Sequence, residues 1–297
     1  MKYSKNQIPQ AQHWKHIMFV SALFLLTTTI MQAQDETKDT SADKKPVKNV
    51  FESSELMDVQ SVVVPSAKTL TFNMQHRFGT VQNGFTDLWG VYAPANIRIG
   101  FNYTPINNLA VGFGYTKFNR YLDMNLKYSI LKQRKDWSIP VSITYYGTAA
   151  VNTRTDETFA KSAYRWSFYH ELSIATKLNS KISLQVTPSF SHFNAVDSLY
   201  KNDVIAIAGG GRYKLSPQSS LMVTYMFQFT KYPTNPNFKL KPGVTIGWEI
   251  STSAHAFQLF FTNFQGIVPQ ENIARNSFDF FKGEFLLGFN ITRLWSF

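Results

Sequence analysis

The last fourteen residues, 284–297 (EFLLGFNITRLWSF), constrain the fold more than any other stretch of this 297-residue chain. Phe285, Leu287, Phe289, Ile291, Trp295 and Phe297 share one face, because strand side chains alternate with period two. An apolar strand at a chain end is an unpaired edge and an aggregation hazard unless its sheet closes on itself. Closure onto the first strand, with the apolar face towards lipid, removes that edge in a transmembrane β-barrel.

The beginning of the chain supplies an address. Lys2, Lys5 and Lys15 precede an apolar run over 17–30, followed by Met31-Gln32-Ala33 and the polar Gln34-Asp35-Glu36. This order matches an export signal over 1–33, cleaved after Ala33. The run of fourteen is short for a spanning helix of about 20 residues, although a single anchor or a buried helix is the alternative. With no cysteine there is neither a lipid-anchored form nor a disulfide. Beyond Ala33 no apolar run approaches helix-spanning length, so any membrane span must be made of strands. The aromatic end of the chain, Trp295 and Phe297, resembles the assembly signal read by the barrel assembly machinery. The expected location is therefore the outer membrane of a Gram-negative bacterium, with outer-membrane lipid as the surroundings.

Removing 1–33 removes three lysines and leaves 27 basic against 19 acidic residues, a net of +8. Without a clustered basic helix on an exported chain, nucleic acid is not an expected partner; the charge is read as solubilising or as biasing a lumen towards anions. Aromatic residues make up 15% of the chain, including 26 Phe and 14 Tyr, as membrane-interface girdles require.

Residues 34–67 are expected to be a periplasmic segment, disordered to about Lys48 because it lacks large apolar residues. The stretch 51–64 (FESSELMDVQSVVV) is more apolar and either docks at the inner mouth of the barrel or acts as linker. From Lys68 to the end, 230 residues alternate in twelve strand-like segments. The cleanest sets Leu122, Met124, Leu126, Tyr128 and Ile130 against Asp123, Asn125, Lys127 and Ser129. Twelve strands of about 10 residues leave about 10 for each connection, and single-chain bacterial barrels have even strand numbers. Connections at 104–108, 177–181, 215–219 and 251–254 are short, while the other set is mostly longer, at 78–95, 152–164, 193–203, 230–242 and 264–283, with the 117–121 link a short exception. This alternation of periplasmic turns with extracellular loops places both termini on the periplasmic side. A soluble β-sandwich alternates equally well, but lacks the export signal, the turn asymmetry and the terminal aromatic. The fold class read here is all-β, an antiparallel transmembrane barrel over 68–297.

If the apolar faces meet lipid, the opposite faces line the lumen. That places Arg77, Arg98, Asp123, Lys127, Glu171, Arg212 and Glu249 inward, among Asn73, Gln75, Asn102, Asn125, Gln185 and Gln228. Such charges either interlock and fill a narrow lumen or ring a water-filled constriction. Glycines 209–211 and the GFGY run at 112–115 lack the Lys-Ser/Thr context of a phosphate loop, so they are read as positions of curvature or close packing. The histidines have no metal-ligand spacing, and neither a cofactor nor a metal is expected. No nucleophile motif is present, though His76 and His192 lie within reach of loop carboxylates such as Asp87 or Asp197. Arg293 interrupts the last apolar face near an interface, where a charge costs only about 0–1 kcal/mol.

The stretch 51–154 resembles a family of exported Bacteroidota β-barrel proteins classed as a domain of unknown function. HRFG at 76–79, QNGFTDLWGVYAPANIRIGFNY at 82–103, VGFGYTK and LKYSILKQ at 126–133 carry the resemblance, and the second half is similar only as a generic barrel. The resemblance implies outer-membrane residence and assigns no catalytic or binding residues. The first loop, 78–95, with Phe85, Trp89 and Tyr92, is a candidate to fold inward and cap the mouth.

The expectation is a non-enzymatic, porin-like channel for small polar solutes, with anions favoured. A closed barrel that anchors a periplasmic partner through 34–64 is the alternative, and an outer-rim hydrolase the third reading.

Overall fold

Along the strands of the C-terminal 230 residues, most of the side chains that leave solvent are polar, joined by alanines and a few larger apolar groups such as Met222, Met226 and Phe260. In the strand Thr69–Thr80, Thr69, Thr71, Asn73, Gln75 and Arg77 are buried. Large apolar side chains such as Phe113, Met124, Ile130, Ile205 and Leu259 are about half exposed. A soluble sandwich buries the other face, so this inverted pattern separates a lipid-facing barrel from a sandwich.

The computed structural model describes residues 44–155, 159–232 and 238–297. The expected export signal, 1–33, and residues 34–43 lie outside the described residues. Two very short strands, β1 (Glu55–Leu56) and β2 (Val59–Gln60), form a tight antiparallel hairpin. The long strands follow as β3 (Thr69–Thr80), β4 (Asn96–Ile106), β5 (Leu109–Thr116), β6 (Tyr121–Leu131), β7 (Ser142–Asn152) and β8 (Trp166–Lys177). After them come β9 (Ile182–Phe193), β10 (Asp203–Lys214), β11 (Ser219–Gln228), β12 (Gly243–Ser251), β13 (His255–Thr262) and β14 (Leu286–Ser296). A seven-residue helix, α1 (Pro269–Arg275), lies in the connection between β13 and β14.

Strands β3 to β14 form one closed antiparallel barrel, as the alternation and connection lengths led us to expect. Each strand pairs with its sequence neighbours, and β14 pairs with β3. At that seam Trp295 lies opposite Leu70 and Ile291 opposite Met74, while the Phe297 amide donates to the Lys68 carbonyl at 3.0 Å. The terminal apolar strand thus has no free edge.

One end of the barrel carries the connections 107–108, 178–181, 215–218 and 252–254, together with the longer 132–141. In the tightest of these, Asn108 takes φ 77, a left-handed conformation that asparagine tolerates. The 132–141 connection is long because it holds the entering chain. The Val47 amide donates to the Gln133 carbonyl at 2.7 Å, and Pro46 bridges to Arg134. The opposite end carries the remaining loops.

The described part of the expected periplasmic segment, 44–67, runs into the barrel rather than away from it. Val50, Phe51, Leu56, Met57, Val59 and Val62 are buried in one cluster with the inward-facing Met222, Met226 and Phe260 and with Ile273 of α1. Burial of these side chains, together with the acidic residues between them, explains why this segment packs as a plug.

Candidate functional site

The lumen is built from three layers of side chains: the polar wall, the N-terminal plug, and the loop containing α1. Seven inward-facing charged residues were expected on the wall, and the structure buries all seven side chains within the barrel. Two of them join each other: Arg98 donates to both carboxylate oxygens of Asp123, at 2.9 and 2.6 Å. The remaining five are not brought into one constellation but are engaged by separate neighbours.

Arg77 meets the Asp58 carboxylate at 2.7 Å, donates to Asn290 Oδ1 at 3.0 Å, and lies 4.5 Å above the Phe260 ring. Lys127 donates to the Ser54 carbonyl at 2.6 Å and to Gln60 Oε1 at 3.2 Å. Arg212 donates to Glu52 at 3.1 Å and to the Asn49 carbonyl at 2.8 Å, beside the Phe51 ring. Lys214 also reaches Glu52, at 2.7 Å. Glu171 accepts from Tyr169 at 2.6 Å, and Glu249 accepts from Gln258 at 2.8 Å.

Sequence reasoning missed the plug carboxylates Glu52, Glu55 and Asp58. Asp58 stands at the tip of the β1–β2 hairpin, where Met57 takes φ 57 to turn the chain. Its second oxygen accepts from Thr245 and Thr262 at 2.7 and 2.8 Å. Glu55 accepts from Asn73 and Gln75, each at 3.2 Å. Backbone carbonyls of the plug are taken up by Thr144 at Val62, by Ser173 and Gln185 at Gln60, and by Asn290 at Met57. A signal was present in the sequence. Three acids spaced three apart in an otherwise apolar stretch face a wall on which Arg77, Arg98, Lys127, Arg212 and Lys214 outnumber Asp123, Glu171 and Glu249.

The loop that folds inward is the last one, not the first. Phe85 of the 81–95 connection is 78% exposed, and Trp89 and Tyr92 also face outward. In the last loop, Gln270 to Ala274 are buried. Gln270 donates to Ser167, Tyr121 donates its hydroxyl to Glu271, and Tyr232 donates to the Ala274 carbonyl at 2.7 Å. The polar side chains of the first loop that are hydrogen-bonded serve the loop itself, Asp87 accepting from Asn83 and from the Gly90 amide, whereas those of PQENIAR are offered to the barrel wall. Between hairpin and loop, a cavity of only about 40 Å³ remains, bounded by Asp58, Arg98, Lys127 and Ile267. That is room for a few water molecules and not for a hydrated solute.

The glycines of the GFGY run serve close packing, although the neighbours are the Asn102 carboxamide at Gly112 and the Arg98 guanidinium at Gly114 rather than an aromatic ring. A Cβ on Gly114 would lie 2.3 Å from Arg98 Nη2. The histidines do not reach the carboxylates expected of them. His76 stacks on Phe289 with ring centroids 4.8 Å apart, and Asp87 is held by Asn83 and the Gly90 amide. His192 pairs with Asp203 at 2.7 Å instead of Asp197. Arg293 lies over Trp295 and contacts His255 at the turn end of the barrel. Trp295 is partly exposed there, and Phe297 is 80% exposed.

Polar residues inside, apolar residues outside and a closed ladder define a membrane-bound β-barrel, one whose lumen is filled by its own chain. Residues 51–295 match the family described as "Membrane bound beta barrel domain (DUF5777)", and the chain belongs to that family. The match reaches through the second half, beyond the stretches that carried the resemblance, and its start at Phe51 includes the plug hairpin. No curated protein matches the chain. Among solved structures it is similar to the NanC porin, with 7% identity and a TM-score of 0.47 over 77% of this chain and 99% of that one. It is also similar to an outer-membrane channel from Pseudomonas putida F1, with 11% identity and a TM-score of 0.49 over 78% and 97% of the two chains.

Proposed function

We propose that this protein is a porin-like barrel of the outer membrane whose resting state is closed, and that it passes small polar solutes when the segment 44–65 withdraws. The observation that carries this reading is the Asp58–Arg77 pair, which pins the hairpin tip to the wall with only about 40 Å³ left beside it. Withdrawal would remove Glu52, Glu55 and Asp58 and leave five basic and three acidic side chains lining the wall, an environment that favours anions. In this reading the turn end, where the described chain enters and where Phe297 lies, faces the periplasm, so the plug withdraws towards that compartment.

A second reading is a permanently closed barrel that anchors a periplasmic partner through 34–64. The many ion pairs and hydrogen bonds that tie the plug to the wall favour it.

Planar-bilayer recording separates the two. The full chain is expected to show no steps or only brief ones. A variant lacking 44–65, first shown to keep heat-modifiable gel migration, is expected to conduct steadily with a reversal potential favouring anions. A folded variant that never conducts would overturn the channel and leave the anchor.

A further inference from the structure

A second cavity, of about 300 Å³, opens at the loop end of the barrel, and its lining carries two arginines, Arg154 and Arg275, against one carboxylate, Glu271. Its volume lies at the lower end of the range for small-molecule sites.

The two signs of charge are not presented equally. Glu271 is 5% exposed, and its Oε1 accepts from the Tyr121 hydroxyl. The Arg275 side chain is 34% exposed, and the Glu271 carboxylate lies 3.6 Å from it, too far for a hydrogen bond. A guanidinium carries five N–H donors, and those of Arg275 meet no acceptor at hydrogen-bond distance among the described residues. Aromatic rings hold it instead: Arg275 Cζ lies 5.2 Å from the Phe193 ring and 5.3 Å from the Tyr200 ring. Tyr200 is braced in turn by Phe238, at 5.0 Å between centroids, and by Tyr232, whose hydroxyl donates to the Ala274 carbonyl at 2.7 Å. Asn276, the next residue, donates to the Lys241 and Pro242 carbonyls. The guanidinium is thus oriented by stacking on a pinned loop, with its donors unspent.

We infer that this vestibule binds small organic monocarboxylates through Arg275. The planar fork of a guanidinium matches the two oxygens of a carboxylate, a geometry that neither an ammonium nor a neutral group reproduces. Phe118, Tyr200 and Phe278 border the same space and offer apolar surface to the body of the acid. Arg154, whose Nε donates to Asn152, adds a second positive charge to the lining. The site does not depend on conduction, and a barrel that never opens would still possess it.

Saturation-transfer NMR on the full chain in detergent micelles tests this, with benzoate as the probe, benzamide as its uncharged counterpart and empty micelles as the blank. Saturable benzoate binding is expected, with benzamide about tenfold weaker, because charge-assisted hydrogen bonds are roughly twice as strong as neutral ones. Arg275→Met should weaken benzoate about tenfold. Arg275→Lys keeps a charge beside Glu271 but loses the fork, so it should weaken benzoate by a smaller factor. Phe118 is 53% exposed, so Phe118→Ala should keep its heat-modifiable migration and still weaken benzoate severalfold. That variant carries the test should Arg275→Met fail to assemble. Benzoate and benzamide bound equally well would overturn the assignment, as would benzoate binding unchanged in both Arg275 variants. So would the absence of any saturable benzoate binding.

Discussion

Asp58 and Arg77 are only nineteen positions apart, yet they meet inside the barrel at 2.7 Å with side chains 0% and 1% exposed. The pair joins the tip of the plug to β3, and the same carboxylate holds β12 and β13 through Thr245 and Thr262. Neither charge has water to fall back on, so the pair acts as a latch. Two fully desolvated ions are stable together and costly apart.

Neutralising one side of the latch should therefore loosen the plug. Asp58→Asn leaves the Arg77 charge buried without its ion-pair partner, beside only the neutral Asn290, the His76 carbonyl and the Phe260 ring, and removing one partner of such a pair costs about 3–5 kcal/mol. The expected outcome is faster protease cleavage within 44–65 while the barrel keeps its heat-modifiable migration. A double-mutant cycle with Arg77→Met should recover part of the loss, because no unpaired charge then remains.

Gly114→Ala should lower the melting temperature of the barrel. The added Cβ would occupy the place of the Arg98 guanidinium, which is held on both oxygens of Asp123. Overpacking of this kind typically costs about 1–3 kcal/mol. A midpoint of heat modification equal to that of the native chain would contradict the close-packing role of this glycine.

The seat of the last loop should depend on pH only in strong acid. Lys241 donates to Asp279 at 2.7 Å and holds that carboxyl below its ordinary range, with the Phe281 amide contributing less. A carboxylate whose folded pKa is depressed stabilises the folded state above its unfolded pKa of about 3.9, and that stability fades as pH falls through the lower folded value. Amide exchange in 276–284 should therefore stay protected from pH 8 to pH 5 and rise only below about pH 4. Lys241→Met should raise exchange across the whole range.

Phe297→Ala should reduce the amount of barrel assembled in cells without changing the barrel once formed. The ring is 80% exposed and contributes little packing, while the backbone amide holds the Lys68 carbonyl in either variant. Equal melting temperatures for refolded protein, with a lower assembled yield in membranes, would separate recognition during assembly from stability.

Strand number, strand faces and the β14–β3 seam were readable from the chain because they depend on local patterns. Ile99 and Arg98 point in opposite directions by the geometry of an extended backbone, whatever their neighbours are. The short connections at 178–181 and 215–218 follow from the same local reasoning. What fills the lumen has no such period. Glu52, Glu55 and Asp58 follow no strand repeat, and their partners Arg212, Gln75 and Arg77 lie far apart along the wall, on β10 and β3. Aromatic content drew attention to the first loop, but an interior of hydroxyls, amides and charges selects for matching polar groups, and α1 carries those.

The sequence by itself determined that this chain closes into a twelve-stranded barrel with its apolar side outward, because alternation, turn length and the terminal apolar strand are local patterns that agree with one another. Only the tertiary structure decided that the barrel is occupied. Desolvated charges must find partners wherever the closed wall places them: Arg98 and Asp123 find each other, while Arg77, Lys127 and Arg212 find theirs in the segment that precedes the first strand of the barrel.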